Sequence, residues 1–226
     1  MAKFLSSLVV SVLFISIALA APMPTSTLDS SWQEISADDG IVTHRKDVDG
    51  SPLVAFRGET VIEAPIAKIA NILMDTSRKL EWVHKIVEAR DVRQIGEYER
   101  IEYNHTASGF LLVSDRDFVF HAKATVDRPK NQVVFTLKSV TDALAPETDN
   151  VRGSLNESRY VLTSLDGGKR THVIVEIHAD PKGSLPKMLV NMFQKAWPRR
   201  TLDNIKKQAS KADIQEHPGI KAQLAS

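Results

Sequence analysis

From about Lys85 to Ala179 the sequence alternates in β fashion almost without a break, and this run of 95 residues limits the chain to sheet-dominated folds. Tyr98–His105 sets Ile101 and Tyr103 on one face and Glu102 and Asn104 on the other. Ser114–Val126 aligns Phe118, Phe120, Ala122, Ala124 and Val126 on one face. Gln132–Val140, Val151–Leu165 and Thr171–Ala179 complete the set, with Asp166-Gly167-Gly168 as a hairpin turn between the last two. Connections this short join antiparallel neighbours. A long antiparallel sheet has one apolar face that another element must cover.

The element long enough to do so lies near the C-terminus. Ser184 is a good N-cap and Pro186 falls in the first turn. Leu185, Met188, Leu189, Met192, Phe193 and Ala196 then recur at helical spacing. Beyond Pro198 the stripe resumes with Leu202, Ile205 and Ala209, which predicts one kinked helix whose apolar face continues in phase. About 25 residues at 1.5 Å per residue reach nearly 40 Å. One helix laid on a wide twisted sheet leaves a hollow suited to a small apolar ligand, although a solid core fits the pattern equally well.

Ahead of the long β run, a helix is expected around Ser31–Ala37, a hairpin from Ile41–Val48 and Leu53–Ile62, and a helix from Ala64-Pro65 onward. A further short helix around Arg78–Val83 carries Trp82. Residues 211–226 read as a frayed tail. There is no internal repeat and no interdomain linker, so residues 31–210 read as one α+β domain.

The first twenty residues differ from the rest: fifteen are apolar and Lys3 alone is charged. Leu8–Ala20 is an apolar run ending in Ala18-Leu19-Ala20, the small-x-small pattern of a signal peptidase site. Serines interrupt it, and it is shorter than the roughly 20 apolar residues that a membrane span needs. Residues 1–20 are therefore expected to be a signal peptide cleaved after Ala20, with 21–30 a flexible leader and the mature protein exported, periplasmic or secreted. The chain has no cysteine, so it is neither a Cys-anchored lipoprotein nor a disulfide scaffold. Of its 29 basic residues, 28 remain without Lys3, against 28 acidic ones. A neutral body without a basic block excludes nucleic acid as a partner and gives no electrostatic attraction to an anionic membrane.

Several motifs together resemble the START lipid-transfer domain. They are Arg78-Lys79-Leu80-Glu81-Trp82, Ser114-Asp115-Arg116-Asp117-Phe118-Val119, and Val151-Arg152-Gly153 with Ser158-x-Tyr160. Asp180-Pro181-Lys182-Gly183-Ser184-Leu185-Pro186, Leu189-Val190-Asn191 and Trp197-Pro198-x-x-Thr201-Leu202 follow in the same order. The resemblance spans Trp32 to Gln208. It implies a helix-grip fold, in which a curved antiparallel sheet is closed by the C-terminal helix over an apolar tunnel. The implied function is to bind and transfer one lipid, sterol- or hopanoid-like lipids included, without catalysis, cofactor or metal. A monomer that touches membranes transiently is expected.

The tunnel wall is expected to include Ile101, Tyr103, Arg116, Phe118 and Phe120, opposed by Met188, Leu189, Met192 and Phe193. Arg116 matches the arginine of the family's RDF signature. It either holds a lipid phosphate or carboxylate, or pairs structurally with Asp117, Glu102 or Glu176. Sterol-binding members carry a second arginine six residues later, where this chain has Ala122, so a sterol anchor is missing or displaced.

Other chemistries fit less well. His172 and Glu176 share a strand face about 13 Å apart, too far for one ion. Asp47-Val48-Asp49-Gly50 lacks the later ligands of a calcium loop, and Gly167-Gly168-Lys169-Arg170-Thr171 lacks phosphate-loop spacing. A helix-grip cyclase or aromatase would draw on Tyr103, His121, Arg116 and His178. An interaction module with a vestigial tunnel is the remaining alternative.

Overall fold

The structure, a computed structural model, describes residues 28–109, 111 and 113–225. The signal peptide expected at 1–20 and most of the leader at 21–30 lie outside the described residues.

Ten strands form one sheet in these residues: β1 (Gln33–Asp38), β2 (Ile41–Lys46), β3 (Ala55–Ile62), β4 (Ile86–Gly96), β5 (Glu99–Thr106), β6 (Arg116–Asp127), β7 (Gln132–Ser139), β8 (Val151–Arg152), β9 (Ser154–Leu165) and β10 (Arg170–Asp180). Their spatial order is β1-β2-β3-β10-β9-β7-β6-β5-β4, with every neighbour antiparallel. The short β8 lies beside the start of β6 in parallel. Helix α1 (Ile66–Met74) and a 3₁₀ turn, Thr76–Glu81, connect β3 to β4. Helix α2 (Lys187–Ala209) follows β10, and α3 (Pro218–Ala225) ends the chain. This is the helix-grip arrangement, a curved and unclosed antiparallel sheet with a C-terminal helix laid into it.

Residues paired across antiparallel strands point to the same side, so the register sorts the two faces. On the concave face, Ala124, Val133, Phe135, Tyr160, Leu162, Val173 and Val175 pack with α1, Trp82, Leu202, Ile205 and Ala209 in the main core. All six apolar residues of α1 within that core (Ile66, Ala67, Ile69, Ala70, Ile72, Leu73) are buried. A separate cluster, Phe56, Ile177 and Ala179, lies toward the other end of the same face, under the N-terminal half of α2. On the convex face Ile101, Tyr103, Val119 and Ala145 form a third cluster beneath the loop that follows β7.

Three expectations are corrected. Residues 33–38 are a strand: the free edge of β2 offers backbone partners, Ser36 Oγ meets Thr43 Oγ1 at 2.9 Å, and pairing overrides local propensity. Helix α2 begins at Lys187 with Pro186 as its cap residue, so Ser184 does not cap it. Residues 211–225 are docked, not frayed. Ile214 and Ile220 enter the main core, His217 N–H donates to Ala67 O at 3.0 Å, and Tyr98 stacks edge-on against His217 with centroids 5.6 Å apart.

Candidate functional site

The upper concave face is walled by β5, β6, β7 and β9. Register places Arg100, Ala122, Leu137 and Ser158 in one row across four strands. The next rows hold Glu102 with Phe120 and Ser139, then Asn104 with Phe118, then Thr106 with Arg116. Phe118, Ala122 and Leu137 remain only half-buried although they face the helix side, whereas the lower rows are sealed into the main core.

A buried charge cluster lies in this wall. Lys79, from the 3₁₀ turn, donates to Glu102 Oε1. Arg100 reaches Glu102 Oε2 through Nη2 at 3.1 Å, Asp91 through Nε at 3.0 Å and the carbonyl of Leu73 at 3.5 Å. The Lys79 ammonium also sits 5.8 Å from the Phe120 ring centroid. Burial pulls the Lys79 pKa below its ordinary value, opposed by attraction to Glu102. Burial also pushes the Tyr160 phenol upward, helped by the Glu102 charge. Thr76 Oγ1 donates to Asp91 at 2.8 Å, which fixes the turn over β4 and β5. Beside the cluster, Asn104 Oδ1 and Ser158 Oγ are buried without a hydrogen-bond partner.

Arg116 faces the same side as Phe118 and Phe120, but among the described residues no carboxylate forms an ion pair with it, and only the more distant charge of Asp115 attracts it. Its guanidinium donates to three backbone carbonyls: Ser114 O, Pro181 O at 3.3 Å and Lys182 O at 3.3 Å. Asp117 belongs to the convex face. There it accepts from Arg152 at 2.7 Å and Thr148 at 2.8 Å, and these bonds outweigh burial and hold its pKa low. Gly183, with φ +74°, lets the chain turn beneath Arg116, whose Nη2 would lie 3.3 Å from an added Cβ. Arg116 therefore ties the β10–α2 connector to β6.

The other expected wall residues divide. Phe118 and Phe120 are on the concave face as expected. Ile101 and Tyr103 are not: Tyr103 pairs with Val119 and Ile101 with His121, and both apolar side chains pack outward against Ala145. In β5 it is the polar face, Arg100-Glu102-Asn104, that turns inward, which reverses the usual apolar-in reading. On α2, Met188, Met192 and Phe193 are 77%, 54% and 40% exposed, and Leu189 is half-buried. Met192 lies beside Ile35, Ser36 and Thr43 in an open cavity of about 260 Å³. The two halves of the stripe are out of phase. At 3.6 residues per turn, the 185–193 set is centred roughly 140° away from Pro198, Leu202, Ile205 and Ala209. The side of the N-terminal half turned to the sheet carries Val190, Asn191 and Gln194: Asn191 accepts from Val54 N–H at 3.3 Å, and Gln194 donates to Ala179 O at 2.7 Å.

Lys79, Arg100, Glu102, Asn104 and Ser158 were not singled out by sequence reasoning as site residues. The available signal was a charged alternation, Arg100-x-Glu102, interleaved with the apolar Ile101 and Tyr103. The cyclase candidates do not converge. His121 (bonded to Glu99 at 2.7 Å) and Tyr103 share the convex face with His178 (3.1 Å from Ser51 Oγ), while Arg116 is committed to carbonyls on the concave face.

The START domain profile matches residues 27–197. The chain belongs to the START domain family. An uncharacterized protein of Pseudomonas aeruginosa is 26% identical over 190 residues, covering 82% of this chain and 90% of that one. The phosphatidylcholine transfer protein of Mus musculus is 24% identical over 173 residues, covering 74% and 78%. Among solved structures, human StAR-related lipid transfer protein 5 superposes with a TM-score of 0.74 at 18% identity, covering 81% of this START chain and 88% of its own.

Proposed function

We propose that this START domain encloses one lipid between the upper concave face and α2, and carries it through water between membranes. The observation that carries the reading is the division of the concave face. Its lower rows are packed solid by α1, α2 and α3, while Phe118, Ala122 and Leu137 above them stay half-buried next to a separate cluster at Phe56, Ile177 and Ala179. Transfer of acyl or ring carbons to that region contributes about 0.8 kcal/mol per CH₂. Phe118 and Phe120 supply wall contacts, and Lys79, Glu102 and Arg100 form the polar end.

Loading requires a local opening. The connector Asp180–Pro186 is the natural hinge, because it hangs from β6 mainly through Arg116 and turns at Gly183. The outward apolar stripe of α2 (Met188, Met192, Phe193) suits brief contact with a bilayer during exchange. The signal sequence directs the protein out of the cytoplasm, and it works as a monomer.

Native mass spectrometry of protein purified from its own host tests this reading, with one co-purified lipid per chain as the expected result. A protein that arrives empty and takes up no lipid from vesicles overturns it. The same spectrum reads the oligomeric state and cleavage after Ala20.

A further inference from the structure

We infer that the site selects lipids whose polar end is uncharged (a hydroxyl, ester or amide) over phospholipids. This rests on the lipid-carrier reading above and narrows it to a ligand class.

Counting charge along the wall leads there. Register gives the complete inward-facing set on β5, β6, β7, β9 and β10, and its charged members are Arg100, Glu102 and Arg116. Lys79 joins them from the 3₁₀ turn. Two cations, Lys79 and Arg100, meet two carboxylates, Glu102 and Asp91, so the cluster is neutral as it stands. Arg116 already donates to three carbonyls of the chain. A phosphate at the cluster would have to strip Lys79 or Arg100 from Glu102, and one at Arg116 would have to compete with the three backbone carbonyls that already accept from it. Stripping either cation would leave a fully buried carboxylate with one cation in place of two, at a cost in desolvated charge.

The groups that do lack partners are uncharged. Asn104 Oδ1 and Ser158 Oγ are buried on the inward face, on opposite sides of the Phe118–Leu137 region. Ser158 lies in the row that runs from Arg100 through Ala122 and Leu137 and on to Ile177 and Phe56. A buried hydroxyl or amide oxygen gains from any neutral hydrogen-bonding partner and needs no counter-charge.

The test is a competition. Full-length or naturally processed protein is incubated with phosphatidylcholine/phosphatidylglycerol vesicles doped with diacylglycerol, a long-chain ceramide and a sterol, then re-isolated, and its bound lipid is read by mass spectrometry. Enrichment of one uncharged-headed dopant by about tenfold or more over its share in the vesicles is expected. Phospholipid bound in proportion to its abundance, or enriched, overturns this inference while leaving the carrier reading intact. No bound lipid of any kind, with no uptake of the apolar probe diphenylhexatriene, overturns the carrier reading itself. Ser158→Ala and Asn104→Leu locate the anchor: at least one should reduce the enrichment of the uncharged-headed lipid over phospholipid severalfold. Undiminished enrichment in both overturns the assignment of these two side chains.

Discussion

Gly58 of β3 lies directly against Pro198 of α2: a Cβ on the glycine would come 2.8 Å from Pro198 Cβ and 3.0 Å from Leu202 Cδ1. The contact pairs a residue with no side chain with a rigid ring, so neither partner can give way by rotating. It brings the helix down onto β3 beside Leu202 of the main core. Gly58→Ala should destabilise the protein by about 1–3 kcal/mol through overpacking, read as a lower urea midpoint with an unchanged m-value. A midpoint equal to that of the natural protein would mean that the helix floats freely over the strand.

The same contact shows what the sequence could and could not tell. Period-two alternation located the strands of the long β run and the C-terminal helix, because burial on one face leaves that imprint directly. It misplaced the face of β5 that turns toward the helix side. Ile101 and Tyr103 are buried on the convex side under Ala145, so apolar character marked burial without saying on which face. The α2 stripe misled for a related reason: Met188, Met192 and Phe193 are apolar but exposed, while Asn191 and Gln194 face the sheet. Ile214, Ile220 and Leu224 were too sparse to read as a packed segment, yet each packs into or against the main core.

The buried pair of Lys79 and Glu102 should behave asymmetrically in mutagenesis. Glu102→Gln strands the Lys79 ammonium in the interior and should cost about 3–5 kcal/mol, whereas Lys79→Met leaves Glu102 paired with Arg100 and should cost less. The double variant Lys79→Met/Glu102→Gln should recover part of that loss. Equilibrium unfolding of all four proteins in a double-mutant cycle measures it. Additive losses would show that the two side chains do not compensate one another.

Arg116 should control the hinge more than the global stability. Lysine keeps the charge but cannot fork to three carbonyls, so Arg116→Lys should release the Pro181–Lys182 turn from β6. Hydrogen exchange should then accelerate at the backbone amides of residues 183–192, with β10 protection from Thr171 to Ile177 unchanged. Uniform acceleration through the sheet would identify Arg116 as a general stabiliser and not a hinge tie.

On the convex face, His44 and His172 flank Glu59, which also meets Arg57 at 3.3 Å. Burial lowers the His44 pKa, with Glu59 opposing the effect. A histidine whose folded pKa lies below its unfolded value favours the native state while neutral, so its contribution is complete above about pH 6.5 and shrinks as pH falls. Stability measured by urea midpoint should therefore decline from pH 7.5 to pH 5. His44→Gln should flatten that decline, as its carboxylate neighbour titrates only at lower pH. An identical slope in the variant would assign the decline to other groups.

The C-terminal segment lies beyond the stretch matched by the START profile, yet it is built into the base of the fold. Lys68 Nζ donates to Lys211 O at 3.0 Å, Asn71 Nδ2 to Gln215 O at 3.0 Å and Gln223 Nε2 to the Tyr98 hydroxyl at 3.1 Å. Gly219 lets the Tyr98 hydroxyl approach to where a Cβ would stand 2.3 Å away. Ile220 is fully buried against this surface, so Ile220→Ala should cost about 2–4 kcal/mol. Gly219→Ala should add strain without opening a cavity. Deleting residues 211–226 should expose α1 and lower the melting temperature by more than Ile220→Ala does, while a lipid carried at the upper wall, as proposed, should be retained. Calorimetry and lipid analysis on the same samples separate the two effects. Loss of bound lipid from a truncated protein that still unfolds cooperatively would place the tail in the carrier function as well as in stability.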